Sequence, residues 1–193
     1  MAKMPVYSCL KHSQYREGAY AFLPLRLEDM ESIRTWRNEQ IEVLRQREPI
    51  TSEQQYNYYQ NVIVPGFIEV HPEQILFSFI MQDSCIGYGG LTHIDWENSH
   101  AEVSFLVETR RTFIPETYTQ DFLAFLKLLQ QVAFNDLQLH RLFAETFSFR
   151  TVHIAGLERA GFHFEGRLQE HVFKQGQWWD SLMHGLLRKV NEA

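Results

Sequence analysis

Between Ile75 and Glu108 the apolar residues change from helical spacing to strict alternation, and the segments after that run restrict the topology of the whole chain. Ile75, Phe77, Phe79 and Met81 alternate in one segment and Cys85 to Ile94 form a second. In a third, Ala101, Val103, Phe105 and Val107 alternate with Glu102, Ser104 and Leu106. A period of two sends successive side chains to opposite faces, so the three segments are expected to form an antiparallel meander. A long helix is expected from about Thr117 to Phe134, with Phe122, Leu126, Leu129 and Ala133 on one face, and then a strand around His140 to Phe147. Strand, helix and strand in that order form a right-handed crossover, which makes the third and fourth strands of this series parallel.

Upstream, Leu27-Glu28-Asp29 opens a helix that carries Met30, Ile33 and Trp36 at helical spacing, with Asp29 or Glu28 as its cap. A second helix begins at Thr51-Ser52-Glu53, capped by Thr51 or Ser52, and runs through Tyr56, Tyr59 and Ile63. Downstream, a helix from about Arg150 to Ala160 stops at Gly161-Phe162, and a strand pair turning at Gly176 closes the chain. No repeat or low-complexity stretch interrupts this series, so residues 1–193 are expected to form a single domain.

The absence of a long uncharged apolar run argues against a membrane span. A net charge of −6 argues against nucleic acid as a partner, because binding a polyanion needs clustered Lys and Arg. Cys9 and Cys85 are too few for a disulfide framework, and Met1 to Leu10 lacks the apolar core of a secretory signal. A reducing, cytoplasmic setting is therefore expected. His93, His100, Asp95 and Cys85 lack the spacings of metal ligands, so no metal is expected. Gly87-Tyr88-Gly89-Gly90 lies inside a strand pattern, where glycine signals close packing or a bend beside a cleft rather than a nucleotide loop.

Four short motifs succeed one another in order: Leu139-His140-Arg141-Leu142, Gly161-Phe162, Glu165-Gly166 and Gly176-Gln177-Trp178-Trp179-Asp180. In this they resemble the C-terminal half of the GNAT acyltransferases, in particular the branch of ribosomal-protein and amino-sugar N-acetyltransferases. The resemblance implies an α/β GNAT fold: a central mixed, mostly antiparallel sheet with a splayed parallel strand pair, flanked by helices. It implies acetyl-CoA as co-substrate, held in the wedge between the strand ending at Val107 and the one ending near Phe147. The backbone of Ser104, Phe105, Leu106 and Val107 would pair with the pantetheine arm. The amides of Tyr118, Thr119, Gln120 and Asp121, at the expected helix start, would meet the pyrophosphate. The family builds that turn with glycines, but no glycine lies between Gly90 and Gly156 here; Arg110 and Arg111 are the expected compensation. Arg150 is grouped with these donor-binding residues.

Acyl transfer to an amine needs a proton acceptor and a donor for the leaving thiolate. Glu102 is the first candidate base, Glu145 the second, and His93 or Asp95 the third. The family's Asn-x-x-Ser positions fall on Arg150 and His153, and its Tyr position on Leu157, which makes His153 the substitute acid. Trp36-Arg37-Asn38 resembles an acceptor turn of the amino-sugar enzymes, an indole and a guanidinium suited to a ring and a phosphate, and Glu145 joins them on the acceptor side. Trp36 equally suits a core anchor, and His153 a packed residue. The activity implied is direct acetyl transfer to a small primary amine, preferably a nucleotide-linked amino sugar. A protein N-terminus and a non-catalytic binding role on the same fold are the alternatives. A homodimer is compatible with this reading.

Overall fold

Eight strands form one sheet in the order β1-β2-β3-β4-β5-β6-β8-β7, in a computed structural model that describes residues 6–189. The part of the leader reading that falls on Met1–Pro5 lies outside the described residues. The strands are β1 (Tyr15–Glu17), β2 (Tyr20–Pro24), β3 (Ile75–Met81), β4 (Ser84–Asp95), β5 (His100–Val107), β6 (Arg141–Phe147), β7 (His163–Lys174) and β8 (Gln177–Leu187). The helices are α1 (Met30–Glu39), α2 (Ser52–Tyr58), α3 (Val64–Gly66), α4 (Thr109–Thr112), α5 (Pro115–Gln130) and α6 (Thr151–Arg159). The meander, the crossover helix and the closing hairpin fall where the periodicity puts them.

β5 and β6 are the one parallel pair among the described strands, and they pair only over His100–Glu102 and Arg141–Phe143. Beyond those three residues each strand keeps its other neighbour. β5 continues against β4 to Val107, and β6 continues against β8 to Phe147. A wedge therefore opens between Val103–Val107 and Ala144–Phe147, and the β6-facing backbone of β5 has no strand partner there. The glycines of β4 allow the sheet to close tightly beside this opening. A Cβ on Gly87 or Gly89 would run into the backbone carbonyl of Leu106 or Ser104.

The crossover helix α5 holds the wedge from behind. Phe122 and Phe125 are fully buried against Phe22, Phe79 and Phe105, and α6 closes over Phe122 because Gly156 has no side chain. A Cβ there would lie 2.6 Å from the Phe122 ring. Past Gln130 the helix widens by one residue per turn over Gln131–Asp136 before the chain enters β6.

Two helix starts behave differently. Thr51 and Gln54 form a reciprocal capping box on α2. Asp29 makes no capping bond to α1, because its buried carboxylate is taken by Arg26 through Nε at 2.7 Å and Nη2 at 2.8 Å.

Candidate active site

Two adjoining cavities occupy the mouth of the wedge and share Val43 and Arg150. The first, of about 400 Å³, lies between the turn after β5 and the start of α6. Gln40, Thr109, Phe113, Pro115, Tyr118, Phe149, Val152 and His153 are among its walls. The second, of about 340 Å³, opens on the sheet itself over Thr92, His93, Glu102, Ser104, Glu145 and Phe147. A substrate reaching from one to the other passes the free edge of β5.

Glu102 sits on the floor of the second cavity with its side chain 8% exposed. Its neighbours occupy both carboxylate oxygens. Arg45 donates to Oε1 at 2.5 Å and to Oε2 at 3.1 Å, and His93 Nδ1 lies 2.7 Å from Oε2. Glu102 is the leading sequence candidate for accepting the amine proton, yet three of its four lone-pair sites are taken and only the second site on Oε1 is left for it. His93 is better placed. Its Nδ1 donates to the carboxylate, which fixes the tautomer and leaves Nε2 as a free acceptor on a side chain 69% exposed. Simple alternation would put His93 on the opposite face from Thr92 and its partner Glu102. A register shift between Thr92 and Asp95, with His93 at φ 46°, returns the imidazole to the Glu102 side.

Arg45 also donates to Glu145 at 2.8 Å, so a single guanidinium joins two carboxylates contributed by β5 and β6. Asp95, the remaining candidate base, is held away from this cluster by Asn98 and His100.

In the first cavity Tyr118, Arg150 and His153 meet. Tyr118 Oη and His153 Nδ1 are 2.7 Å apart, and Arg150 Nη2 donates to Tyr118 Oη at 3.3 Å and approaches His153 Nδ1 at 3.5 Å. Because a guanidinium can only donate, the phenol donates its own proton to Nδ1, and the imidazole carries its proton on Nε2. Burial raises the Tyr118 phenol pKa, and the Arg150 charge opposes part of that rise. Burial and the neighbouring Arg150 hold His153 well below 6.5, so it is neutral at physiological pH. It therefore has no imidazolium proton to give, contrary to the acid role read from its position.

That burial has a thermodynamic consequence. The unfolded chain binds a proton at His153 more tightly than the folded one, so its contribution to stability is complete above pH 6.5 and is lost as the pH falls below it. Urea unfolding at successive pH values should lose up to about 1.4 kcal/mol per pH unit from this residue below 6.5, and His153→Asn should remove that component of the slope.

The structure revises several other sequence expectations. The helix α5 starts at Pro115 and not near Thr117, so the amides of Tyr118, Thr119, Gln120 and Asp121 are inside it; Tyr118 N–H, for example, bonds Ile114 O at 3.0 Å. Asp121 is buried and takes both Arg111 Nε at 2.5 Å and Nη2 at 2.8 Å, while Tyr20 donates to it at 2.9 Å. Arg111 is thereby spent inside the fold and is not available for phosphate. Arg110 is exposed and lies outside both cavity walls.

On the acceptor side, Trp36 packs against the core, and Asn38 clamps the next loop through Ile50 N–H and C=O, both at 2.9 Å. Arg37 alone of that trio lines the second cavity, where it donates to Gln46 and to the Tyr88 hydroxyl. Phe105, Leu106 and Val107 are buried, and Ser104 faces the second cavity. Cys85 is no nucleophile, because burial raises its thiol pKa to about 12. Among the described residues no His, Cys, Asp and Glu group could hold a metal ion, and no helix is long and apolar enough to cross a membrane.

The acetyltransferase (GNAT) domain profile matches residues 24–183. No curated protein matches the chain. Among solved structures, a spermidine N-acetyltransferase from Vibrio cholerae in complex with CoA and spermine superposes with a TM-score of 0.71 at 17% identity, over 89% of this chain and 97% of that one. A GNAT-family acetyltransferase from Bacillus anthracis gives 0.67 at 16% identity, over 90% and 98%. At such identities the likeness establishes the fold.

Proposed function

From the premise that the chain belongs to the GNAT acetyltransferase family, we propose that it moves an acetyl group from acetyl-CoA to a small primary amine. The observation that carries this reading is the pair of adjoining cavities at the splayed strands, one walled by Tyr118, Arg150 and His153 and the other floored by the His93–Glu102 pair. The thioester lies along the free edge of β5 between them, where a backbone N–H of Ser104–Val107 meets the oxyanion as it develops. The neutral amine attacks from the second cavity, and His93 Nε2 takes its proton while Glu102 holds the ring. The thiolate departs toward the first cavity, where Arg150 offsets its charge and the Tyr118 hydroxyl, giving up its bond to His153 Nδ1, supplies a proton. Both substrates are bound together, and proximity replaces a covalent intermediate.

The acceptor is a small amine: the V. cholerae structural neighbour is named for spermidine, while the Glu102 and Glu145 carboxylates of the cavity are offset by Arg37, Arg45 and Arg150. An acceptor carrying a sugar diphosphate has less support. Trp36 and Asn38 are engaged within the protein, leaving Arg37 as the one contact of that turn on the cavity.

Thermal unfolding with added CoA or acetyl-CoA tests donor binding. A ligand at one hundred times its Kd adds about 2.7 kcal/mol, which for a domain of this size raises Tm by roughly 5–11 °C. An unchanged melt at millimolar ligand would favour a non-catalytic binding role for the fold.

A further inference from the structure

The acceptor cavity holds more positive charge than its own carboxylates use. Arg37, Arg45 and Arg150 line it together with Glu102 and Glu145. Arg45 is spent on both carboxylates, at Glu102 Oε1 and Oε2 and at Glu145 Oε2. Arg150 is turned toward Tyr118 and His153 at the thiolate end. Arg37 is left. It is half-buried, and both of its partners are neutral: Nε donates to Gln46 at 3.0 Å and Nη1 to the Tyr88 hydroxyl. Among the described residues its Nη2 meets no acceptor and the guanidinium forms no ion pair. A cation drawn out of water with no opposite charge beside it is costly, and an anion that binds there removes the cost.

The bonds around Arg37 hold it in place without neutralising it. Gln46 turns its carbonyl to Arg37 because its amide donates to Asn38 Oδ1 at 3.0 Å and to Glu48 O at 2.9 Å, and Asn38 is itself clamped on Ile50. A planar fork fixed in direction with one arm unengaged suits the two oxygens of a carboxylate. The charge agrees with the geometry. With the His93 imidazole neutral, as proton acceptance requires, the side chains lining the cavity carry one positive charge in excess, which one carboxylate cancels. A phosphate monoester, with about two negative charges, would overshoot it.

We propose that the acceptor is an aminocarboxylate, whose carboxylate is held by Arg37 while its amine lies at His93 Nε2. The inference rests on the acetyl-transfer reading and adds to it the chemical class of acceptor. The carboxylate takes no part in the chemistry: the amine nitrogen attacks the acetyl carbonyl, the C–S bond breaks as the C–N bond forms, the amine proton goes to His93, and the thiolate is protonated from Tyr118. A polyamine is the poorer acceptor. Its further ammonium groups meet the charges of Arg37 and Arg150 and find Glu102 and Glu145 already paired with Arg45.

The test measures kcat/KM with acetyl-CoA for L-alanine, γ-aminobutyrate and ε-aminocaproate, each beside its own carboxamide, which keeps the shape and removes the charge, with rates referred to the neutral amine. In the best-fitting pair the carboxylate is expected to be favoured about ten- to a hundredfold, the equivalent of one charge-assisted hydrogen bond. Arg37→Gln should bring that ratio to within about threefold of unity, and Arg37→Lys should restore part of it. A general loss of activity in Arg37→Gln that leaves the ratio intact would give Arg37 a structural role and overturn the proposal. So would a carboxamide as good as its carboxylate in every pair, O-phosphoethanolamine preferred over every aminocarboxylate, or a higher kcat/KM for spermidine than for any of them. Thermal unfolding in the presence of CoA separates this from the transfer reading. With no turnover at all, a larger rise in Tm with one of the carboxylates than with its carboxamide, abolished in Arg37→Gln, still supports the carboxylate site, whereas equal rises, or none, overturn it.

Discussion

Glu102→Gln lowers kcat for acetyl transfer by about 100- to 10,000-fold and leaves acetyl-CoA affinity nearly unchanged, as measured by steady-state kinetics alongside ligand-dependent melting. The amide keeps the shape of the carboxylate but loses the charge that orients His93 and supports the imidazolium formed when Nε2 takes the amine proton. Arg45 loses one of its two bonds to this side chain, because the amide keeps a single accepting oxygen. If the two residues act as one unit, His93→Ala costs about as much as Glu102→Gln, and the double variant costs little more than either. Additive losses would place the two in separate roles. Full activity in His93→Ala with a loss in Glu102→Gln would return the base to Glu102 itself.

Arg111→Ala destabilises the protein by about 3–5 kcal/mol, because it strips the guanidinium from a fully buried carboxylate. For a domain of this size the loss corresponds to a fall in Tm of roughly 6–20 °C. Tyr20 still donates to Asp121 in the variant, and neutralising the stranded charge in Arg111→Ala/Asp121→Asn recovers part of the loss. A solvated or phosphate-binding arginine behaves in the opposite way. Its removal would leave the unliganded melt within about 0.5 kcal/mol of wild type and weaken acetyl-CoA binding instead.

Arg111 and Asp121 stand 10 residues apart and His93 and Glu102 nine, but Arg45 and Tyr20 reach the same carboxylates from 57 and 101 residues away, and such distant partners decide how much of the molecule is legible from the chain alone. The period-two runs from Ile75 to Val107, the stripe of Phe122, Leu126, Leu129 and Ala133, and the turn at Gly176 are local patterns, and the strands, crossover and hairpin are their direct products. Arg45 belongs to a stretch of mixed charge that is balanced along the chain. Its partners are Glu102 and Glu145, 57 and 100 residues away, and no local pattern announces such a pair.

Alternation assigns the His93 imidazole to the face opposite Glu102; only a bulge with a left-handed backbone turns it back, and β-strand periodicity carries no sign of that. Two local signals do point to the structure where the expected helix start and acid residue miss it. Pro115 is a favoured first residue of a helix and marks the true start of α5. Tyr118 lies four residues before Phe122, on the buried stripe of that helix, which places its hydroxyl inside the fold and beside His153.

The most direct measurement of the central claim is the release of free thiol from acetyl-CoA by the purified wild-type protein, with and without small primary amines, spermidine among them, with the acetylated product identified by mass. The predicted result is thiol release that requires both substrates, matches N-acetylated amine one to one, and falls at least about 100-fold in Glu102→Gln. Thiol release no faster than spontaneous hydrolysis with every amine tried, or release that Glu102→Gln and His93→Ala leave intact, would contradict it.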